Sequence, residues 1–252
     1  ASVTTRAERK GDKVVINGAK RWCSGGEVSD YIFMLVRSGP PEARHRNLSI
    51  ILVPKGVPGL TMSRIGVMGS HGIPTNDVYL ENVTVPFDLV LGEEAGWNNG
   101  WAQLTGHALE AEKLEVPALA LGCMQGALDE AWEYAQQRRQ FGKRICAFQA
   151  VRHALADAKS KVEACRQMLR WATWLVDNNQ PAAAPTSMTK LFVTEAASEV
   201  VLSCQKILGA YGYGEGFARG RYVRDVLALP IYGGSSAIQR NNITNLLGLP
   251  RD

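Results

Sequence analysis

Residues 92–100, GEEAGWNNG, separate two stretches of the sequence that have different patterns. Before them, short runs of β-branched and aromatic residues alternate with turn pairs such as Gly-Asp, Asn-Gly and Pro-Gly at roughly 8–12-residue spacing, which is typical of an antiparallel sandwich or barrel. After them, apolar residues recur with the three-to-four spacing of an amphipathic helix. We therefore predict an α+β chain: an antiparallel β-sandwich or barrel of about six to eight strands at residues 1–97, followed by an up-down four-helix bundle at residues 98–252.

Residues that interrupt helices place the boundaries of the second stretch. Pro117 lies inside the first predicted helix, and we expect it to kink that helix or to begin a new segment. Asn178 and Asn179, followed by Pro181, end the second helix, and Gly209 ends the third. The predicted helices span about residues 98–137, 147–178, 185–209 and 235–247.

The composition of the 252-residue chain argues against several function classes. The net charge is a mild +4, and the densest basic run, residues 138–144, contains a single aromatic residue, which argues against nucleic-acid binding. No apolar run reaches the roughly 18 residues of a membrane span, so we expect none. The five cysteines and four histidines lack the spacing of metal ligands or of a disulfide framework. This predicts no metal site, and reduced thiols in the cytoplasm or a mitochondrial matrix.

Five separated motifs occur together in an order that is typical of one family. They are INGAKRWCSGG at 16–26, Arg-x-x-Phe-Gly at 138–142, Phe-Gln at 148–149, KILGAYGYGEG at 206–216 and RYVRDVLALPIYGGSSAIQR at 221–240. In this order, along a β-then-helical chain, the sequence resembles the acyl-CoA dehydrogenase family of flavoproteins. The resemblance implies that residues 1–97 are the middle β-domain and residues 98–252 the C-terminal helical bundle. The family's N-terminal helical domain would be absent, and we expect little dehydrogenase activity without it because water would reach the flavin.

The resemblance also implies a reaction and its partners. Members of the family use FAD to dehydrogenate an acyl-CoA thioester between its α- and β-carbons, and an electron-transferring flavoprotein is the usual acceptor. Their flavin site is shared between subunits, so a homodimer or homotetramer is expected. Two alternatives stay open, a flavin-dependent monooxygenase of the same fold and a non-catalytic subunit or fragment. Flavin that is bleached by acyl-CoA would favour the dehydrogenase. Flavin that only a separate reductase reduces would favour the monooxygenase, and a colourless protein would favour the non-catalytic subunit or fragment.

The catalytic base is where the sequence departs from the commonest family pattern. That pattern has Tyr-Glu-Gly-Thr, with the Glu as base, where this chain has Tyr232 followed by Gly233. Gly233 has no side chain to take a proton, although the resemblance implies that its backbone N–H polarises the thioester carbonyl. Long-chain and isovaleryl-type members also have a small residue there and carry the base on the first bundle helix, at the position of Glu112. Glu110 and Glu115 are neighbouring candidates, and a solvated helix glutamate is the alternative to a base.

Further residues match family positions that contact the flavin or the substrate. Trp22 and Ser24 correspond to a Trp-x-Thr whose indole lies against the flavin and whose hydroxyl reaches its N5 edge, while Cys23 is expected to face the other side of the strand. Arg138 and Phe141 correspond to residues that receive the pyrophosphate of a neighbouring subunit's flavin. The remaining cofactor matches are Gln149, Lys206, Gly209 and Ser235, and the remaining substrate matches are Lys113 and Tyr232.

Three substitutions depart from the family pattern around the flavin. Lys206 replaces a Gln, Ala210 replaces a Gly, and Ala237 replaces another Gln, whereas Ser235 keeps the hydroxyl of the usual Thr. A lysine can meet a pyrophosphate as a point charge. Ala210, by contrast, adds a Cβ where the backbone would approach the cofactor.

Overall fold

The computed structural model describes residues 3–105, 109–214 and 219–250. The chain divides into two compact units, Ala1–Ala108 and Leu109–Asp252. The first contains the six-stranded sheet and the second contains the long helices, which confirms the predicted α+β organisation. Part of the first predicted helix, residues 106–108, and the end of the KILGAYGYGEG motif, residues 215–216, lie outside the described residues.

Six strands of the first unit form one sheet in the order β4-β3-β1-β2-β6-β5. The strands are β1 (Arg6–Lys10), β2 (Lys13–Ser24), β3 (Tyr31–Arg37), β4 (Leu48–Pro54), β5 (Leu60–Arg64) and β6 (Thr75–Pro86). The pairs are antiparallel except for β1 and β3, which are parallel where Arg6 faces Arg37. The sheet is antiparallel, as predicted, at every other described pair, and this pair is an exception. The chain reverses after β2 and passes beyond β1, so β3 runs in the direction of β1.

Strand β2 has two irregularities in its pairing with β6, and the second sets the backbone of Trp22. The first is at Gly18, where an added Cβ would lie 2.8 Å from the Thr5 Cα, so a side chain does not fit. The second falls between Lys20 and Cys23 and leaves Trp22 with a φ of 62°. Such bulges re-aim side chains. Here the indole is 62% exposed, whereas Cys23 packs against the core, as expected from alternation.

The buried residues of the first unit are most continuous along β3 and the edge strand β4. Every second residue from Ile32 to Val36 is buried on β3, and all four residues from Leu48 to Ile51 are buried on β4. Two short helices follow the sheet in sequence, α1 (Glu93–Gly96) and α2 (Gly100–Gln103). An added Cβ at Gly100 would lie 2.8 Å from the carbonyl carbon of Ser49, so the start of α2 touches the backbone of β4 directly.

The second unit is built on long helices, with shorter elements between them. The helices are α3 (Leu109–Gln137), α4 (Gln149–Asp177), α5 (Ala183–Leu208), α6 (Ala210–Tyr213), α7 (Arg219–Val226) and α8 (Ser236–Leu246), and a hairpin joins β7 (Arg139–Gln140) to β8 (Lys143–Arg144). Helix α5 packs against α3, α4 and α8. Three of the four predicted helices are confirmed to within two residues at each end, whereas α6, α7 and the hairpin were not predicted.

The first predicted helix, residues 98–137, contains two described helices, α2 and α3, and residues 106–108 between them lie outside the described residues. Helix α3 runs through Pro117 without ending. Of the two expectations for this proline, a kink or a new segment, the new segment does not form. Proline removes one backbone hydrogen bond within a helix. Pro117 is buried within the unit, and this packing keeps the helix continuous.

Small residues allow α3 and α5 to approach closely. Ala120 and Ala127 on α3 and Ala197 on α5 are all buried in the same core cluster. Close approach brings the first turns of the two helices together, as shown by the contact between Lys113 and Ser187. The polar side chains at the start of α3 are therefore held by the packing of the bundle.

Candidate active site

The carboxylate of Glu112 lies beside the position from which a side chain of residue 233 would project. Gly233 belongs to the loop between α7 and α8, has a φ of 63° and is half-buried. A Cβ added there would lie 3.2 Å from Val116 Cγ2 and 3.6 Å from both Cγ and Oε1 of Glu112. Glu112 and Val116 are four residues apart on α3 and share one face of it. The structure thus brings Glu112, the candidate base, close to Gly233, the position at which the commonest family pattern has its base.

The two neighbouring glutamates have different environments. Glu110 is engaged at both carboxylate oxygens, because Oε1 pairs with Lys113 Nζ at 2.7 Å and Oε2 accepts a hydrogen bond from the Thr186 hydroxyl. Glu115 is exposed to solvent. Glu112 is half-buried and is the glutamate that lies within contact distance of a side chain built at Gly233. Geometry therefore favours Glu112 over both alternatives.

Lys113 is held inside the bundle. It is 8% exposed, and its ammonium donates to Glu110 Oε1 at 2.7 Å and to Ser187 Oγ at 3.3 Å. A buried ion pair that also has a hydroxyl partner is compensated for its lost hydration. These contacts favour a structural role that joins α3 to α5 over the predicted contact with substrate.

Lys190 is a charged group of this region that the sequence analysis missed. Its side chain on α5 is 0% exposed, and Nζ has no hydrogen-bond partner among the described residues. Burial lowers the pKa of Lys190 to about 8, and the negative charges of Glu112 and Glu195 oppose that lowering. The signal was present in the sequence, because Lys190 is three residues before Val193 and seven before Ala197 on the apolar stripe of α5.

Tyr232 precedes the glycine pair and shares the electrostatic environment of Glu112. Burial raises the pKa of Tyr232, and the acidic groups of Cys123, Asp225 and Glu112 raise it further. The phenol therefore stays protonated at neutral pH and is able to donate a hydrogen bond. This position, beside Gly233, is consistent with the predicted contact with substrate.

Gln239 is a second residue that the sequence analysis missed. It lies on α8, is 1% exposed, and its Nε2 donates to the carbonyl oxygens of Gly233 at 3.1 Å and Gly234 at 3.0 Å. The sequence analysis noted that Ala237 replaces one family glutamine but did not consider Gln239. The only feature of the sequence that could have indicated this contact is that Gln239 follows Gly233 by six residues, just after the start of α8.

The two flavin-related residues of the first unit are both exposed. Ser24 is the last residue of β2 and pairs with Thr75, and Trp22 lies in the bulge two residues earlier. The guanidinium of Arg21 lies 5.4 Å from the centre of the indole ring. An exposed aromatic plane with a hydroxyl two residues on has the chemistry to lie against a flavin ring and to bond its polar edge.

The predicted pyrophosphate-binding residues form an exposed, basic hairpin in the second unit. Phe141 and Gly142 have φ values of 51° and 78°, which is the two-residue turn that closes a tight hairpin. Phe141 is 91% exposed and meets Phe148 edge-on, with ring centres 6.1 Å apart. Arg138 is half-buried, with its guanidinium 5.7 Å from the centre of the Tyr211 ring. Residues 138–144 carry four cationic side chains and no acid, which suits a pyrophosphate.

The remaining cofactor matches lie on the surface of the second unit or at helix ends. Gln149 is the exposed first residue of α4. Lys206 is exposed in the last turn of α5, and Gly209 follows with a φ of 57°. A Cβ at Gly209 would meet nothing within 4 Å, so its backbone is open to a ligand. Ser235 caps α8, with Oγ accepting from Ile238 N at 3.5 Å.

Residues 3–105, 109–214 and 219–250 contain no group of His, Cys, Asp or Glu side chains that could hold a metal ion. Within that part of the chain, no helix has the length and apolar character needed to cross a bilayer. In the first unit Trp22 and Ser24 offer an aromatic plane and a hydroxyl, and in the second unit Arg138 offers a cation; each of these groups fits a part of FAD.

Comparison with curated proteins and solved structures finds relatives along nearly the whole chain. It is 37% identical to benzylmalonyl-CoA dehydrogenase of Aromatoleum aromaticum over 94% of this chain and 61% of that protein. It is 33% identical to 3-sulfinopropanoyl-CoA desulfinase of Paraburkholderia xenovorans over 98% of this chain and 63% of that protein. A probable acyl-CoA dehydrogenase structure from Mycobacterium abscessus superposes with a TM-score of 0.94 at 30% identity, over 98% of this chain and 65% of that one. The chain thus spans about three fifths of the length of these curated relatives.

Two family models match successive parts of the chain. Residues 1–83 match the acyl-CoA dehydrogenase middle domain, and residues 98–247 match the acyl-CoA dehydrogenase C-terminal domain. The second match alone covers more than half of the chain, and the two occur in the order that the fold shows. This chain therefore belongs to the acyl-CoA dehydrogenase family.

Proposed function

We propose that this chain supplies the flavin-binding and proton-abstracting part of an FAD-dependent acyl-CoA dehydrogenase, which oxidises an acyl-CoA thioester between its α- and β-carbons. The observation that carries the proposal is the carboxylate of Glu112, which lies 3.6 Å from a Cβ built at Gly233. The chain lacks the commonest family base at residue 233 and places another carboxylate beside the same point. The names of the relatives support the same reaction class.

In this proposal Glu112 removes the α-proton of the substrate. An α-proton next to a thioester is weakly acidic, so the carbonyl oxygen needs hydrogen-bond donors that stabilise the charge as the proton leaves. The Gly233 N–H is assigned this role, and Glu112 keeps the abstracted proton on its carboxylate. When bound, FAD would supply the acceptor for the β-hydrogen, which leaves as hydride. Both substrate hydrogens are thus accounted for, and the product is an α,β-unsaturated thioester.

The proposed FAD contacts are assigned to each unit by itself. Trp22 and Ser24 are assigned to the flavin ring and its N5 edge. The half-buried Arg138, just before the hairpin, and the exposed Phe141 in its turn are assigned to the pyrophosphate side of a flavin held by a second subunit. The other proposed contacts are Gln149, Lys206, Gly209 and Ser235. The basic charge of the hairpin and the open backbone at Gly209 support these assignments.

The partners and boundaries of the protein are proposed on the same basis. We assign acyl-CoA as substrate, with Tyr232 as a contact, an electron-transferring flavoprotein as acceptor, and a homodimer or homotetramer as the assembly. The functional domains are assigned to residues 1–97 and 98–252, which the family matches at 1–83 and 98–247 support. The relatives named above are bacterial, which favours the cytoplasm over a mitochondrial matrix.

Replacement of Glu112 by Gln, in the protein at its natural length, tests the proposal. We expect Glu112→Gln to keep bound FAD and thioester affinity but to lower kcat by roughly 10²–10⁴-fold, the usual loss with a general base. Glu115→Gln is the matched control, because it removes an exposed carboxylate from the same helix and is expected to leave kcat unchanged. Turnover is measured with a panel of acyl-CoA thioesters and an artificial electron acceptor.

Two results would contradict the proposal. If Glu112→Gln turns over at the parent rate, Glu112 is not the base. If the parent protein holds flavin that no acyl-CoA reduces, but that a reductase does, the protein is a monooxygenase of the same fold, and a protein that binds no flavin is a non-catalytic subunit or fragment.

A further inference from the structure

The loop that carries Gly233 contains two adjacent residues in the left-handed region. Gly233 and Gly234 have φ values of 63° and 78°. Glycine reaches this region without the steric penalty of other residues, but it also reaches many other conformations. A loop with two adjacent glycines therefore keeps one shape only if other groups hold it.

Gln239 is the side chain that holds this loop. Its Nε2 donates to two successive carbonyl oxygens, those of Gly233 at 3.1 Å and Gly234 at 3.0 Å. The amide is 1% exposed, and its Oε1 has no hydrogen-bond partner among the described residues. Since both contacts are to acceptors, the amide acts only as a donor here.

The two hydrogen bonds from Gln239 to the loop, called the clamp below, require a glycine at residue 234. A Cβ added to Gly234 would lie 2.6 Å from Gln239 Nε2, closer than any real contact of this kind. A side chain at residue 234 would therefore displace the amide even if the backbone tolerated it. The absence of a Cβ at Gly234 gives Gln239 the space to reach both carbonyls.

The clamp acts on the geometry at Glu112 through planar peptides. Each carbonyl that Gln239 binds fixes the plane of the peptide to which it belongs. The two planes that follow Gly233 are thereby fixed, while the Tyr232 N–H donates to the Ala228 carbonyl at 3.3 Å on the other side. The Gly233 N–H belongs to the one peptide that lies between these restrained peptides, and a Cβ built at Gly233 would lie 3.6 Å from Glu112 Oε1.

We propose that Gln239 is a positioning residue, which holds Gly233 and its backbone N–H in the geometry that proton abstraction by Glu112 requires. This inference rests on the proposed function. Gln239 acts through the loop, and no contact of its own with substrate or flavin is assigned.

The test uses Gln239→Met, which keeps a similar side-chain size without the donor, and Gln239→Glu, which turns an acceptor toward the two carbonyls. Gln125→Met is the matched control, since Gln125 makes its hydrogen bonds to Asp129 and Arg166 on the helix surfaces. In the FAD-loaded protein at natural length, we expect both Gln239 variants to lower kcat per bound FAD by roughly 10–100-fold, because small misplacements of reacting groups have effects of this size. We expect the KM for acyl-CoA to change less than threefold. Exchange of the substrate α-proton with D₂O, followed by mass spectrometry, should slow by the same factor as kcat.

A second measurement does not depend on turnover. Amide hydrogen exchange of the peptide that spans residues 230–239 should accelerate at least tenfold in Gln239→Met and stay unchanged in Gln125→Met. Unchanged exchange in this peptide would overturn the clamp. If amide exchange accelerates while kcat and the exchange of the substrate α-proton stay at the values of the parent protein, the catalytic role of the clamp is overturned. A parent protein without thioester chemistry would overturn the proposed function and that catalytic role together, while the hydrogen-exchange result would still decide the clamp.

Discussion

A glutamate introduced at position 233 tests whether the Glu112 carboxylate occupies the space that Gly233 leaves. The new Cβ would lie 3.2 Å from Val116 Cγ2 and 3.6 Å from Glu112 Oε1, at a φ of 63°. The left-handed backbone alone costs a non-glycine residue about 1–2 kcal/mol. Two carboxylates about 4 Å apart repel by about 4 kcal/mol at an effective dielectric constant near 20. Solvent around the half-buried Glu112 reduces this repulsion, so we expect a coupling of about 1–3 kcal/mol.

The coupling is measured by a double-mutant cycle on folding stability. Gly233→Glu, Glu112→Gln and the double variant are unfolded in urea, and circular dichroism at 222 nm follows the helices of the second unit. Gly233→Gln in both backgrounds is the control, because it carries the same backbone strain and nearly the same volume without the charge. We expect Gly233→Glu to destabilise the parent more than the Glu112→Gln protein, and Gly233→Gln to destabilise both equally.

The activity of the same variants extends the test. In the Glu112→Gln background, Gly233→Glu recreates the commoner base position and should restore part of the lost turnover. A coupling below about 0.5 kcal/mol would refute the placement of Glu112 at Gly233, since distant sites are additive within that margin. The base would then have to be sought elsewhere.

Two further predictions concern buried groups of the second unit. Burial lowers the pKa of Lys190 from 10.5 to about 8, so the charged ammonium destabilises the folded state by its full amount below pH 8. This destabilisation decreases as the pH rises from 8 to 10.5. Lys190→Met should therefore be more stable than the parent at pH 7 by at most about 3 kcal/mol, and this difference should vanish by pH 10.5. Urea unfolding across this pH range measures the difference in stability. A difference that does not change with pH would contradict the prediction. Burial raises the pKa of Cys165 to about 11 and of Cys204 to about 12, so neither should react with a disulfide reagent at pH 8 until unfolding, whereas the half-buried Cys146 should react first. Mass spectrometry of the labelled peptides checks this order, and early labelling of Cys204 would rule out its burial.

Helix ends were predictable because their signals are local. Gly209 ends α5 and Asn178 ends α4, as their residue types indicate, and the Ser235 hydroxyl caps α8. At Pro117 the local signal left a kink and a new segment open, and the new segment does not form because α3 continues through the proline. Local propensity favours a break at proline, but packing inside a core outweighs the loss of one hydrogen bond.

The strand order depends on partners that are distant in sequence. Alternation identified the strands, but nothing within β1 or β3 indicates that Arg6 faces Arg37 in a parallel pair. The bulge that re-aims Trp22 was likewise hidden, because it arises from the register of β2 against β6. Residue identity therefore pointed to Trp22, while its exposure followed from strand pairing.

The sequence by itself determined that residue 233 has no side chain to take a proton, and its resemblance to the family pointed to the carboxylates at residues 110, 112 and 115 as candidate replacements. Only the tertiary structure separated these three. Successive residues of a helix point in different directions, and the side of α3 that faces the glycine loop depends on how the α7–α8 connection packs against it. That packing places Glu112 at Gly233 and ties Glu110 to Lys113 and Thr186. Gln239 escaped prediction for the same physical reason, because its hydrogen bonds to the loop form only after the chain has turned into α8.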